Sequence, residues 1–103
     1  MPKAYVMIHL EVTNEEGFSG FASKISGLLA EFGGKSLVGR DTVVSKLENQ
    51  VTHRQADVHA VFEFPDKESA LAWYNSDQYQ AIKPDRINNT TNTYFAIVDG
   101  VSG

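Results

Sequence analysis

Cysteine is absent from this 103-residue chain, which removes disulfides, thiolate metal sites and cysteine nucleophiles together. Also missing are a G-x-S-x-G elbow, a phosphate-cradling glycine loop, a dinucleotide fingerprint and an H-E-x-x-H motif. No cofactor and no metal are therefore expected. A surplus of positive charge is lacking too: nine Lys+Arg stand against thirteen Asp+Glu, for a net charge of -4. Phosphate backbones attract proteins chiefly through positive surface charge, so nucleic acid is not an expected partner. The opening MPKAYVMIHLEV has neither the long apolar segment nor the small-residue cleavage pattern of a secretory signal. The expected location is the cytoplasm, with no membrane association. No repeat or low-complexity stretch interrupts the chain.

What is present suits one core. With 42% hydrophobic side chains, the length fits a single domain spanning residues 1–103. Ala4, Val6, Ile8, Leu10 and Val12 alternate with Tyr5, Met7, His9 and Glu11, and period two predicts a strand. Thr13 followed by Glu16 reads as a capping box that opens a helix. Phe18, Phe21, Ala22, Ile25, Leu28, Leu29 and Phe32 recur at helical spacing, and Gly33-Gly34 supplies its left-handed end. Residues 35–48 read as a second strand, bent at Gly39-Arg40-Asp41, and residues 49–57 as a polar loop that holds a solvated His53. Alternation returns over 58–64, stopped by Pro65, and Asp66 is placed to cap a helix carrying Ala70, Leu71, Trp73 and Tyr74, with Trp73 and Tyr74 expected to pack in the core. A further helical stretch begins at Ser76, with Pro84 expected to end or kink it, and residues 93–98 form the last strand.

Strand, helix, strand, strand, helix, strand is the ferredoxin-like pattern, an α+β fold with an antiparallel sheet and helices on one face. Strand parity puts Tyr5, Met7, His9, Glu11, His59, Val61 and Glu63 on the face the helices leave open. That HAVFEF strand invites comparison with an RNA-recognition module, which stacks bases on aromatics of its third strand. The stacking positions here hold His59 and Val61, and Asp57 stands where a basic residue belongs. Sequence and charge both oppose RNA binding. A second copy covering the open face is the alternative, which makes a homodimer the expected assembly.

Four segments carry a family resemblance over nearly the whole chain: MPKAYV, FGGKSLV at 32–38, VFEFPDKESALAWYNSDQYQAIKP at 61–84 and YFAIVDG at 94–100. The sequence resembles the family described as domain of unknown function 1330 (DUF1330), within the dimeric α/β-barrel superfamily. That resemblance implies a ferredoxin-like subunit pairing sheet to sheet, and a family without an established common reaction. Superfamily relatives include cofactor-free monooxygenases, isomerases, cyclases and haem enzymes, but fold does not fix function. The family places an arginine directly after the second-strand Leu-Val, whereas this chain reads Leu37-Val38-Gly39-Arg40, which leaves open whether Arg40 takes that place. The tryptophan common in the following loop is also missing. Tyr79 and Arg86 match family positions.

Candidate chemistry centres on His9, whose neutral imidazole could act as a general base with Glu63 orienting it on the same face. The competing reading makes His9 and Glu63 a structural pair inside a dimer. His59 could join His9 as a metal ligand, though two histidines without a placed carboxylate are a poor metal signature. Tyr5, Met7, His59, Arg40, Tyr79 and Arg86 are the candidate ligand contacts, with Arg86 expected to pair either with Asp77 or with a ligand carboxylate. Two functions follow: binding or cofactor-independent conversion of a small hydrophobic or aromatic molecule, or a non-catalytic dimeric interaction or regulatory protein. Sequence alone does not decide whether the chain is an enzyme.

Overall fold

The computed structural model describes residues 2–40, 42–48 and 58–101. Seven elements follow in order: β1 (Ala4–Val12), α1 (Glu15–Glu31), β2 (Lys35–Val38), β3 (Val58–Phe64), α2 (Lys67–Tyr74), α3 (Asp77–Ile87) and β4 (Thr90–Asp99). The four strands form one sheet in the order β2-β3-β1-β4, with antiparallel pairing throughout. This is the ferredoxin-like α+β fold that the sequence predicts, with its second helical segment divided in two. Among the described residues no helix is long and apolar enough to cross a membrane.

Alternation in the sequence becomes alternation in burial. Ala4, Val6, Ile8 and Leu10 of β1 and Val58, Ala60, Phe62 and Phe64 of β3 are buried, while the residues between them are half-buried on the opposite face. The buried set joins Phe18, Phe21, Leu28 and Leu29 of α1, Ala70 and Trp73 of α2, and Tyr79 and Ile82 of α3 in one cluster. The helices therefore cover a single face of the sheet. Trp73 sits at the middle of the aromatic part, 4.6 Å from the Tyr79 ring centroid and 5.5 Å from that of Phe64. Such aromatic pairs add roughly 0.5–1.5 kcal/mol each beyond the area they bury.

Helix ends follow local chemistry, with one correction. The cap of α1 is Asn14 rather than Thr13: the Gly17 amide donates to the Asn14 side chain at 3.3 Å, and the Thr13 amide is instead spent on the Asn89 carbonyl at 2.8 Å. Asp66 caps α2 as expected, accepting from the Ser69 amide at 2.7 Å. At the end of α1, Gly34 donates to the Leu29 carbonyl and Gly33 to that of Ala30, a Schellman motif in which Gly33 adopts φ +78. A side chain there would be strained, and a Cβ on Gly34 would lie 2.6 Å from the Phe64 ring. Pro84 does not end its helix; α3 runs one turn past it to Ile87, the missing proline N–H leaving the Gln80 carbonyl without its usual donor.

The second strand is much shorter than its sequence suggests. It ends at Val38, and residues 42–48 are not strand. A register shift between Ser36 and Val38 disturbs the ladder. The Thr42 amide and hydroxyl then both donate to the Gly39 carbonyl, at 3.3 and 2.7 Å, which turns the chain off the sheet edge. Val43 and Leu47, which look like strand residues, are 93% exposed. Asp41, the 49–57 loop and His53 lie outside the described residues.

Candidate functional site

The open sheet face carries the residues that alternation places there, but their spacing is set by register. In the β1–β3 ladder His9 lies opposite His59, Met7 opposite Val61, and Tyr5 opposite Glu63. Glu63 is therefore four positions along β3 from the histidines, roughly 13 Å at the rise of an antiparallel strand. The structure does not bring Glu63 to His9. Glu63 is instead the hub of a separate cluster, with Lys3 Nζ and Lys35 Nζ each 3.2 Å from its oxygens and the Tyr5 hydroxyl donating at 3.4 Å. Hydrogen bonding from Lys3 is the main cause holding its carboxyl below the usual range; desolvation opposes this and Lys35 adds to it.

The two histidines meet each other. Their ring centroids are 4.8 Å apart in an edge-on arrangement, and Tyr94 of β4 lies 6.4 Å from His9. The β1–β4 register also brings Ala96 opposite Met7 and Val98 opposite Tyr5, so β4 extends this face with residues absent from the sequence-level picture. The Nε2 atom of His59 is buried without a hydrogen-bond partner among the described residues. Among those residues no group of three or more His, Cys, Asp or Glu is placed to hold a metal ion.

On the other face of the sheet lies a cavity of about 380 Å³ between α1 and the β1–β3 ladder. Ile8, Leu10, Val58, Ala60 and Phe62 form its floor, and Phe18, Phe21, Ala22, Ile25 and Leu29 form the wall that α1 presents. Ala22 and Ala60 supply little side-chain volume from opposite sides, and protein interiors otherwise leave few voids larger than a water. Two candidates from the sequence reach this cavity, Arg40 and Arg86. Tyr5, Met7, His9, His59 and Glu63 do not line it; they belong to the opposite face.

The two guanidinium groups differ in how their charge is met. Arg40 lies two residues past the end of β2, with its Nη2 paired to Glu15 in the first turn of α1 and its guanidinium 5.0 Å from the Phe18 ring centroid. Arg86 is the one charged side chain among the described buried residues, at 6% exposure. Its Nε donates to the Tyr79 hydroxyl at 3.3 Å and its guanidinium lies 4.8 Å from the Phe95 ring centroid. No carboxylate among the described residues pairs with it. The expected Asp77 partner is out of reach, because nine residues of helix separate the two by roughly 13 Å and half a turn. A cation over an aromatic face gains about 0.5–2 kcal/mol, less than the several kcal/mol that burying a charge costs. Tyr79 itself is fully buried; desolvation raises its pKa above 10.0, with the Arg86 charge partly offsetting that rise.

Chemically, the cavity is a partly open, mostly apolar pocket with one buried, incompletely compensated cation and one neutralised cation. Among its described lining residues the remaining polar side chains are Ser26 and Ser36, and neither has a histidine or carboxylate beside it in that lining. The arrangement can hold and orient an apolar molecule. In the sequence Arg86 stands out as a family-matching candidate ligand contact, but nothing there shows that it is buried; Tyr79, seven positions earlier, lies on the same side of the helix.

A family model for a domain of unknown function (DUF1330) matches residues 3–101. No curated protein matches the chain by sequence. Among solved structures, a protein of unknown function from Rhodopseudomonas palustris is similar with a TM-score of 0.77 at 9% identity, over 99% of this chain and 85% of that one. A dabb family protein with a ferredoxin-like fold from Mesorhizobium loti gives a TM-score of 0.67 at 9% identity, covering 99% of this chain and 100% of its own. A Caulobacter crescentus protein provisionally described as an antibiotic biosynthesis monooxygenase gives 0.58 at 19% identity, covering 98% of this chain and 92% of that one. At these identities the likeness is one of fold.

Proposed function

We propose that this chain, which belongs to the DUF1330 family, binds a small apolar molecule in the cavity between α1 and the sheet, and pairs with a second copy through the opposite sheet face. The observation that carries the binding reading is the cavity itself: about 380 Å³, walled by aliphatic and aromatic side chains, with few polar groups converging on it. Small-molecule sites have this volume range and this lining. With no proton acceptor beside Ser26 or Ser36 among the described lining residues, binding is favoured over acid–base conversion by the wall. His9, the candidate general base, and His59, the candidate ligand contact, belong to the other face, and their role in this reading is at the interface.

Pairing is supported by what the open face exposes. Tyr5, Met7 and Val61 are half-buried in the isolated chain, and Tyr94 and Val98 beside them are 55% and 47% exposed. Covering such side chains gains roughly 25 cal/mol for each Å² of apolar surface.

The test of binding is titration with a neutral apolar fluorophore, N-phenyl-1-naphthylamine, against the wild-type chain and Ala22→Phe, which fills the cavity from α1. We expect saturable, blue-shifted emission with wild type and its loss in the variant, with the melting temperature kept. Equal signal from both proteins moves binding elsewhere and ends this reading of the cavity.

A further inference from the structure

We infer that the cavity ligand carries a carboxylate and that the Arg86 guanidinium receives it. This rests on reading the cavity as the binding site, and it names the class of molecule that belongs there. Two arginines line the cavity, and their charges are not equivalent. That of Arg40 is met by Glu15, whereas no carboxylate among the described residues meets that of Arg86, the more deeply buried of the two. A single positive charge is thus left inside an apolar wall, and a ligand with a single negative charge neutralises it.

Geometry narrows the anion further. A guanidinium has five N–H donors in one plane. Nε is engaged by the Tyr79 hydroxyl, and the Phe95 ring lies over the group at 4.8 Å, so its plane and its outer edge are fixed before any ligand arrives. The two terminal nitrogens remain, and they present the parallel pair of donors that a planar carboxylate accepts. A doubly charged phosphate calls for additional donors, and no lysine stands among the described lining residues to supply them. Because Tyr79 and Phe95 already hold the arginine, little side-chain freedom is lost on binding. The ligand class is an apolar monocarboxylic acid whose body fills the α1 wall and whose carboxylate reaches Arg86.

The experiment compares 2-naphthoate with its neutral isostere 2-naphthamide by calorimetric titration of the full chain, for wild type, Arg86→Met, Arg86→Lys and Arg40→Met. Wild type should prefer the acid by about tenfold or more. Arg86→Met should erase that preference while still binding the amide, and Arg86→Lys, which keeps the charge but loses the fork, should retain a reduced one. Should Arg86→Met fail to fold, the lysine variant carries the comparison, and an undiminished preference there overturns the assignment. Equal affinity of acid and amide for wild type overturns the carboxylate inference and leaves the cavity reading intact. A preference lost in Arg40→Met and kept in Arg86→Met overturns it by moving the anion to Arg40. Absence of binding by both probes and by the neutral fluorophore sinks the cavity reading and this inference with it.

Discussion

Arg86 Nε donates to the Tyr79 hydroxyl at 3.3 Å, joining two residues seven apart on α3 deep between the helices and the sheet. The bond ties a buried cation to a buried phenol, and each limits what the other can do. Tyr79→Phe removes the acceptor and leaves an Arg86 donor unsatisfied. We expect a loss of about 1–3 kcal/mol of stability in urea denaturation. Burial also holds the Tyr79 proton above its ordinary pKa of 10.0. Stability from this group is fully present below pH 10 and is lost as pH rises towards the folded-state value, because the unfolded chain then releases the proton first. The alkaline limb of a melting-temperature profile should be flatter in Tyr79→Phe than in wild type.

Glu63 sets the acid limb. Its carboxyl is held below the ordinary value of 4.5, chiefly by the Lys3 hydrogen bond. The stability it contributes is present above that value and is lost as pH falls through the lowered folded-state pKa. Glu63→Gln should flatten the loss of melting temperature between neutrality and about pH 3. The same variant should leave ligand titrations in the cavity unchanged, since Glu63 lies on the other face of the sheet.

Trp73 is the chain's single tryptophan and is fully buried, so its emission reports the core directly. Trp73→Ala should cost about 3–5 kcal/mol by creating a cavity amid the aromatic cluster. Trp73→Phe should cost clearly less, because the indole Nε1 it deletes has no hydrogen-bond partner among the described residues. A phenylalanine variant as unstable as the alanine one would contradict this account of the site.

Val61 lies near the middle of the open face, opposite Met7. Val61→Lys places a charge where a second copy would pack. Sedimentation velocity should shift from a dimer to a monomer at micromolar concentration while far-ultraviolet circular dichroism stays unchanged. A wild-type chain that already sediments as a monomer removes the pairing proposal.

Much of the fold was legible along the chain because its signals are local. Period two in residues 4–12 and 58–64 marked both central strands, helical spacing from Phe18 to Phe32 marked α1, and Asp66 and Gly33 marked their helix boundaries. The second strand was overread because its later valines and leucine carry strand propensity, whereas the bonds to the Gly39 carbonyl turn the chain away first. Thr13 looked like the cap because only the folded chain brings the Asn89 carbonyl to its amide.

The site was less legible, and the reason is geometric. Alternation assigns a residue to a face, and the face of His9, His59 and Glu63 is as the sequence indicates. Register assigns distances within that face, and pairing His9 with His59 leaves Glu63 to Lys3, Lys35 and Tyr5. Arg40 and Arg86 stand far apart in the chain on unrelated local patterns, and only packing of α1 and α3 over the sheet brings both to one cavity. The sequence by itself determined the elements, their order and the sidedness of the central strands, because backbone geometry repeats every 2 or 3.6 residues. Tertiary structure alone decided which charge is buried without a carboxylate, because burial and pairing depend on residues that chain proximity does not link.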